Sequence, residues 1–202
     1  MNTVLVEKEN IEKVVKVLQQ GEVVAFPTET VFGLGVKYGN LTYLDKIYEL
    51  KNRDHSKAVT LMLSKKEDIE KYAYVSDQAK KVINAFMPGM ITLILKKKKT
   101  VDDQYTAGLE TIGIRIPDDP FVLDLLNQVG PMLVTSANIS GKPALLNDKD
   151  VYQEFNHKIH LIVRGKCVNN LASTVLQVKE NVEILRQGLI TKEQIEEVLQ
   201  WK

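Results

Sequence analysis

Two hydroxyl-rich segments, each tied to an apolar run, carry the side chains of this chain that could do chemistry. The first is Pro27-Thr28-Glu29-Thr30-Val31-Phe32-Gly33-Leu34-Gly35, directly after Val23-Val24-Ala25-Phe26. The second is Pro131-Met132-Leu133-Val134-Thr135-Ser136-Ala137-Asn138-Ile139-Ser140-Gly141-Lys142-Pro143. In both, an apolar strand runs out into short hydroxyl or amide groups. Pro27 fixes φ there, and the glycines permit close approach or a positive φ. Two such strand ends in one domain predict a single cleft for a polar, anionic ligand.

Cations stand near these segments. Lys51, Arg53 and Lys57 fall within Lys51-Asn52-Arg53-Asp54-His55-Ser56-Lys57, either as a solvated helix C-terminus or as an anion clamp. Of 27 basic residues only four are arginine: Arg53, Arg115, Arg164 and Arg186. A chain that favours lysine this heavily keeps arginine where a planar, bidentate fork or a structural ion pair is needed. Arg115 lies alone in Ile112-Gly113-Ile114-Arg115-Ile116-Pro117, so if buried it must pair with a protein carboxylate or a ligand one. The run Lys96–Lys99 reads as a solvated loop after a strand, within reach of phosphate. No G-x-x-x-x-G-K-[ST] loop occurs, and Gly33, Gly35 and Gly39 miss the dinucleotide spacing by one residue. His157 and His160 lack Cys or carboxylate company for a metal, and Cys167 reads as a packed thiol.

The elements that must position these residues alternate along the chain. Helical spacing of Ile11, Val14, Val15 and Leu18, with Gly21 as a stop, predicts a helix over 9–20. A strand at 23–26 and a second at 32–36 precede a helix from Leu41 that delivers Lys51 and Arg53 at its end. Further strands are expected at 59–63, 91–95, 111–116 and 132–135, with helices at 69–72, 78–86 and 120–128. The last third holds a helix near 148–155 and strands near 159–163, 173–178 and 183–186. A closing helix over 191–200 has Thr191 as N-cap and Gln194 three residues on. With no linker or repeat, this predicts one α/β domain, residues 1–202, around a mixed sheet.

Composition narrows the classes. At 202 residues and 44% hydrophobic, the chain can bury a sizeable core. It shows no signal peptide and no run long enough to span a bilayer. One cysteine excludes an intramolecular disulfide framework and points to a cytoplasmic setting. A formal net charge of +1 gives no global footprint for nucleic acid.

The ordered motifs resemble the YrdC/TsaC threonylcarbamoyl-AMP synthases. They are P-T-E-T-V-x-G-L-G at 27–35, Lys51-x-Arg53, Lys57, Pro88-Gly89 before Thr92, G-x-R-x-P at 113–117, S-A-N-x-S-G-x-P at 136–143, Ser173-Thr174-Val175, and Leu185-Arg186-x-Gly188. Ala58, Met90 and Met62 depart from the family pattern, the last where some members place a pocket histidine. The resemblance implies a twisted mixed β-sheet with flanking helices around a large concave cavity, in the short form without an extra C-terminal domain. It implies formation of threonylcarbamoyl-AMP and pyrophosphate from L-threonine, bicarbonate or CO2, and ATP with Mg²⁺, and no protein-held metal. The product would pass to partner proteins that modify tRNA beside the anticodon. By the same resemblance Lys51, Arg53, Ser136 and Asn138 are the expected catalytic residues. Arg53, Lys57, Thr111, Ser136, Ala144 and Arg186 would bind ATP, and Thr28, Arg115, Val134 and Ser173 would bind threonine. Two alternatives stand beside it: a carbamoyl-phosphate-using domain of hydrogenase maturation, and a module that binds RNA through the cavity and Lys96–Lys99. Near-neutral charge and 6% aromatics argue against the last, leaving room only for weak tRNA contact.

Overall fold

The computed structural model describes residues 2–179 and 182–200. In chain order the elements are β1 (Val4–Val6), α1 (Ile11–Gln19), β2 (Val24–Phe26), β3 (Gly33–Lys37), α2 (Leu41–Lys51), β4 (Thr60–Met62), α3 (Ile69–Tyr72) and α4 (Asp77–Phe86). They continue with β5 (Ile91–Lys96), β6 (Thr111–Arg115), α5 (Pro120–Val129), β7 (Met132–Ser136), α6 (Asp148–Phe155), β8 (Leu161–Val163), β9 (Thr174–Val178), β10 (Val182–Arg186) and α7 (Lys192–Leu199). The ten strands form one mixed sheet in the order β1-β8-β2-β3-β7-β4-β6-β5-β9-β10. The pairs β1–β8, β2–β8, β4–β6 and β5–β9 run parallel, and the rest run antiparallel. The expected α/β mixed-sheet architecture is therefore present. Only β1 was not anticipated.

Helix ends follow short-range chemistry. Ser76, Asp119 and Asn147 accept backbone N–H bonds at the starts of α4, α5 and α6, and Pro120 occupies the first turn of α5. Thr191 and Gln194 close the expected capping box on α7. Asn52, at φ 48°, ends α2 in a left-handed residue and turns the chain toward Arg53.

Side-chain alternation splits the core into two layers. Ala25, Leu61, Leu93, Ile112, Ile114, Leu133 and Leu176 face one side, under α2, α4, α6 and α7. Val24, Phe26, Met62, Met132 and Val134 face the other, under α1 and α5. The helices α1 and α5 cover that second face from β1 across to β7, with Met62 of β4 at its border. Over β4-β6-β5-β9 the face carries Thr60, Thr92, Gly113 and Arg115 and opens into a cavity. Gly33 and Gly35 lie inside β3, where they serve close approach rather than a positive φ. A Cβ on Gly35 would lie 2.8 Å from both the Phe26 ring and the Met132 methyl, so the glycine makes room for packing.

Candidate functional site

The cavity, about 280 Å³, lies where the two hydroxyl-rich strand ends meet. Thr28, Val31 and Phe32 come from the loop between β2 and β3, and Val134, Thr135 and Ser136 from the end of β7. Those two segments are joined directly, with Gly33 paired to Ser136 across the sheet and Ala137 N donating to the Phe32 carbonyl. Period-two alternation adds Thr60 and Met62 from β4, Thr92 and Ile94 from β5, and Arg115 from β6. Ser173 and Arg186 close the far side. Residue type alone does not single out Thr60, Thr92 and Thr135, which also line the cavity. Strand alternation from Met62 and Ile94 is the signal that places the first two.

One half of the cavity is built on α2 and the end of β7. Arg53 Nε donates to the Lys57 carbonyl (3.0 Å) and Nη2 to that of Ala58 (2.8 Å), which fixes the guanidinium while leaving its charge without a carboxylate. Lys51 is 1% exposed and does not line the cavity. Its Nζ donates to the carbonyls of Ser136 (2.5 Å) and Asn138 (2.6 Å) and to Asn138 Oδ1 (3.2 Å), which uses all three N–H groups. Burial, with Arg53 alongside, brings the ammonium down from 10.5 to about 8. Ser136 Oγ donates to Asn138 Oδ1 (2.5 Å), and Asn138 Nδ2 ties down the carbonyls of Ile139 and Lys142. Lys51 and Asn138, both expected as catalytic residues, hold the 136–142 loop in shape through these bonds. Arg53 and Ser136 are the two of the four expected catalytic side chains that reach the cavity.

The other half is built on β6 and the 28–30 loop. Arg115 Nη2 donates to Glu29 Oε1 (2.8 Å) and to Thr30 Oγ1 (2.9 Å). The lone arginine of the apolar strand is thus paired with a protein carboxylate, although it also lines the cavity. Thr28 Oγ1 donates to the Val31 carbonyl (2.8 Å), lies 3.0 Å from Thr30 Oγ1, and shapes this loop from within. Arg186 reaches back to the Ser173 carbonyl with Nε (3.1 Å) and Nη2 (2.8 Å), and Ser173 Oγ lies 2.8 Å from Thr92 Oγ1. Burial, and for Arg186 also the nearby Arg115, pulls the pKa values of Arg53 and Arg186 below the ordinary arginine value.

Three further expected residues lie outside this cavity. Lys57 is exposed outside the cavity, where its carbonyl receives Arg53 and Tyr48. Thr111 lines a separate groove with Tyr74, Lys96 and Glu110, because four residues of strand put it about 13 Å along β6 from Arg115. Ala144 is half-buried in the loop after β7 and does not line the cavity. The lysine run is not a uniform solvated stripe. Lys97 is 8% exposed and bonded to the Val101 carbonyl and Asp103, while Lys98 sits 4.2 Å over the Tyr74 ring.

Three of the four arginines converge on one cavity, and the fourth, Arg164, makes ion pairs with Glu7 and Asp148 elsewhere. Among the described residues Glu29 is the one carboxylate paired with a cavity arginine. The lining itself holds hydroxyls and guanidinium groups and no carboxylate. Among the described residues no group of three or more His, Cys, Asp or Glu side chains could hold a metal ion. No helix among the described residues is long and apolar enough to cross a membrane.

Fold and site together define an open mixed-sheet α/β protein with a cavity lined by arginines and hydroxyl side chains at paired strand ends. Residues 16–188 match the Sua5/YciO/YrdC family, described as "Telomere recombination", and the chain belongs to that family. It is 39% identical over 194 residues to the threonylcarbamoyl-AMP synthase of Bacillus subtilis, covering 94% of this chain but 56% of the relative. It is 32% identical over 184 residues to the threonylcarbamoyl-AMP synthase of Vibrio parahaemolyticus, covering 89% of this chain and 100% of the relative. The structure of Pyrococcus abyssi Sua5 complexed with L-threonine matches at a TM-score of 0.92 and 31% identity, over 97% of this chain and 61% of that one.

Proposed function

We propose that the chain is an L-threonylcarbamoyl-adenylate synthase acting in the cytoplasm. The observation that carries this is the convergence of Arg53, Arg115 and Arg186 on a cavity lined by Thr28, Thr60, Thr92, Thr135, Ser136 and Ser173. The relatives named threonylcarbamoyl-AMP synthase and the Sua5 structure with L-threonine support the substrate class. The cytoplasmic assignment rests on the single, unpaired and buried Cys167 and on the reactants.

In this reaction the threonine amine adds to CO2 and loses a proton, giving a carbamate. A carbamate oxygen then attacks the α-phosphorus of ATP, the bond to the bridging oxygen breaks, and pyrophosphate leaves with that electron pair. Both reactants are anions, so the protein must hold like charges together and stabilise the charge that grows on phosphate. Arg53 is preset by two carbonyls for the phosphate side, with the Ser136 hydroxyl beside it on the β7 strand end. Arg186 and Ser173 face the other half, where Arg115 meets the amino-acid carboxylate and Thr28 shapes the loop behind it. Mg²⁺ enters as part of the nucleotide complex. Catalysis here is positioning and electrostatics, and we assign no general base. The product would be handed to proteins that carry the threonylcarbamoyl group to tRNA.

The test is pyrophosphate release together with mass spectrometry of a reaction containing ATP, L-threonine and bicarbonate. Release is expected only when all three are present. Equal release with carbamoyl phosphate in place of threonine and bicarbonate would overturn the reading.

A further inference from the structure

We propose that Glu29 is a positioning residue for the amino-acid half of the cavity, presenting Arg115 to the substrate carboxylate through Nη1. This rests on the function proposed above. A guanidinium offers a carboxylate two planar forks, Nε with Nη2 or Nη1 with Nη2, and both include Nη2. In this fold both N–H groups of Nη2 are spent within the protein, on Glu29 Oε1 at 2.8 Å and Thr30 Oγ1 at 2.9 Å. Nε is buried and has no partner. Neither fork is open to a ligand, and Nη1 is the nitrogen left to meet one.

Glu29 is itself held from several directions. Its Oε1 also accepts from Asp118 N (2.9 Å), and its carbonyl accepts from Asn169 Nδ2 (2.6 Å). The residue therefore fixes the segment after β6 and the loop before Ser173 relative to the 28–30 loop. Its Oε2 is buried without a partner, so the ion pair with Arg115 is one-sided on both members. An Arg–carboxylate pair free to relax would close the second contact. The bonds from Asp118 and Thr30 hold this one short of that geometry, which keeps the guanidinium plane in one orientation. With side chains 7% and 12% exposed, neither partner is averaged by solvent.

The experiment compares wild type, Glu29→Gln and Glu29→Ala by steady-state pyrophosphate release, with KM for threonine and for ATP measured separately and a melting curve for each protein. Gln keeps an oxygen for Nη2 and Asp118 N but removes the charge, whereas Ala removes both. Glu29→Ala should raise the threonine KM about ten- to hundredfold and leave the ATP KM within about twofold, as loss of one charge-assisted contact on one substrate would. Glu29→Gln should fall between Ala and wild type, and it decides the matter if the Ala protein does not fold. An unchanged or lowered threonine KM in a folded variant overturns the inference, the lowered value because it would make Glu29 a competitor for Arg115. Threonine and ATP KM values rising together overturn it too, since that is the mark of a general structural role. A wild-type protein that neither turns over nor binds threonine by calorimetry overturns the proposed function and the inference with it. A working wild type beside unaffected Glu29 variants sinks the inference alone.

Discussion

The two halves of the cavity solve the problem of a buried guanidinium in opposite ways. Around Arg53 the partners are backbone carbonyls, from Lys57 and Ala58, which orient the group without cancelling its charge. Around Arg115 the partner is a carboxylate, so the charge is largely balanced before any ligand arrives. Carbonyl partners suit a group that must meet the many charges of a triphosphate. A carboxylate partner suits a group that meets one small carboxylate and must not draw phosphate to the wrong end. Arg186, bound to the Ser173 carbonyl and with its pKa lowered by burial and then by Arg115, stands between the two.

Lys51→Ala should have the largest effect, because it strips the first half of its anchor and leaves the Ser136 and Asn138 carbonyls without their donor. A loss of about 3 kcal/mol, or roughly 6–12 °C in melting temperature, is expected along with loss of turnover. A folded protein of wild-type stability would break the view of Lys51 as a scaffold. Arg53→Ala comes next, lowering kcat/KM for ATP on the order of a hundredfold with little change in melting temperature. Exposed Lys99 supplies the comparison, and Lys99→Ala should leave both unchanged. Lys97, though part of the same run, is buried against Asp103 and would be a poor control.

Arg115→Lys tests the balanced half. It keeps the charge but loses Nη1, so threonine affinity by calorimetry should fall about tenfold while ATP affinity holds. A melting-temperature drop of a few degrees should accompany it, since Glu29 and Thr30 lose their placed donor. Equal losses for threonine and ATP would make Arg115 a structural residue only. The smallest effect expected is with pH. Between about 8 and 10.5 the unfolded chain still holds the Lys51 proton that the folded chain has released, so this group's contribution to stability rises with pH across that window. Turnover should move the opposite way, falling above about pH 8 as the ammonium loses one of its three donors. A pH–rate profile flat to pH 9.5 would remove Lys51 from the active geometry.

Local pattern made most of the elements legible. The capping box at Thr191 and the stop at Gly21 are short-range events, and they hold. β1 escaped because Val4-Leu5-Val6 is too short to show alternation, and its partner Leu161–Val163 lies at the far end of the chain. The site was legible as a set of residues but not as a division of labour. That Lys51 and Asn138 face each other, and that Glu29 meets Arg115 across 86 positions, depends on strand order, which side-chain types do not encode. Thr111 and Arg115 share a strand and a motif neighbourhood, yet the strand's own length separates them. Lys97 looked like its neighbours because a charge run hides which member turns inward at the bridge to Ala73.

The strand order also bears on how the protein comes into being. The cavity wall begins at Thr28 and is completed by Arg186, and β1 waits for β8 before it has any neighbour. During synthesis the emerging chain therefore holds the half of the wall with Arg53 and Ser136 well before Ser173 and Arg186 leave the ribosome. Contacts this distant in sequence form late and together. Premature release of the nascent chain before β10 would give a product with an unfinished wall and an exposed, half-paired sheet, a target for chaperones and proteases.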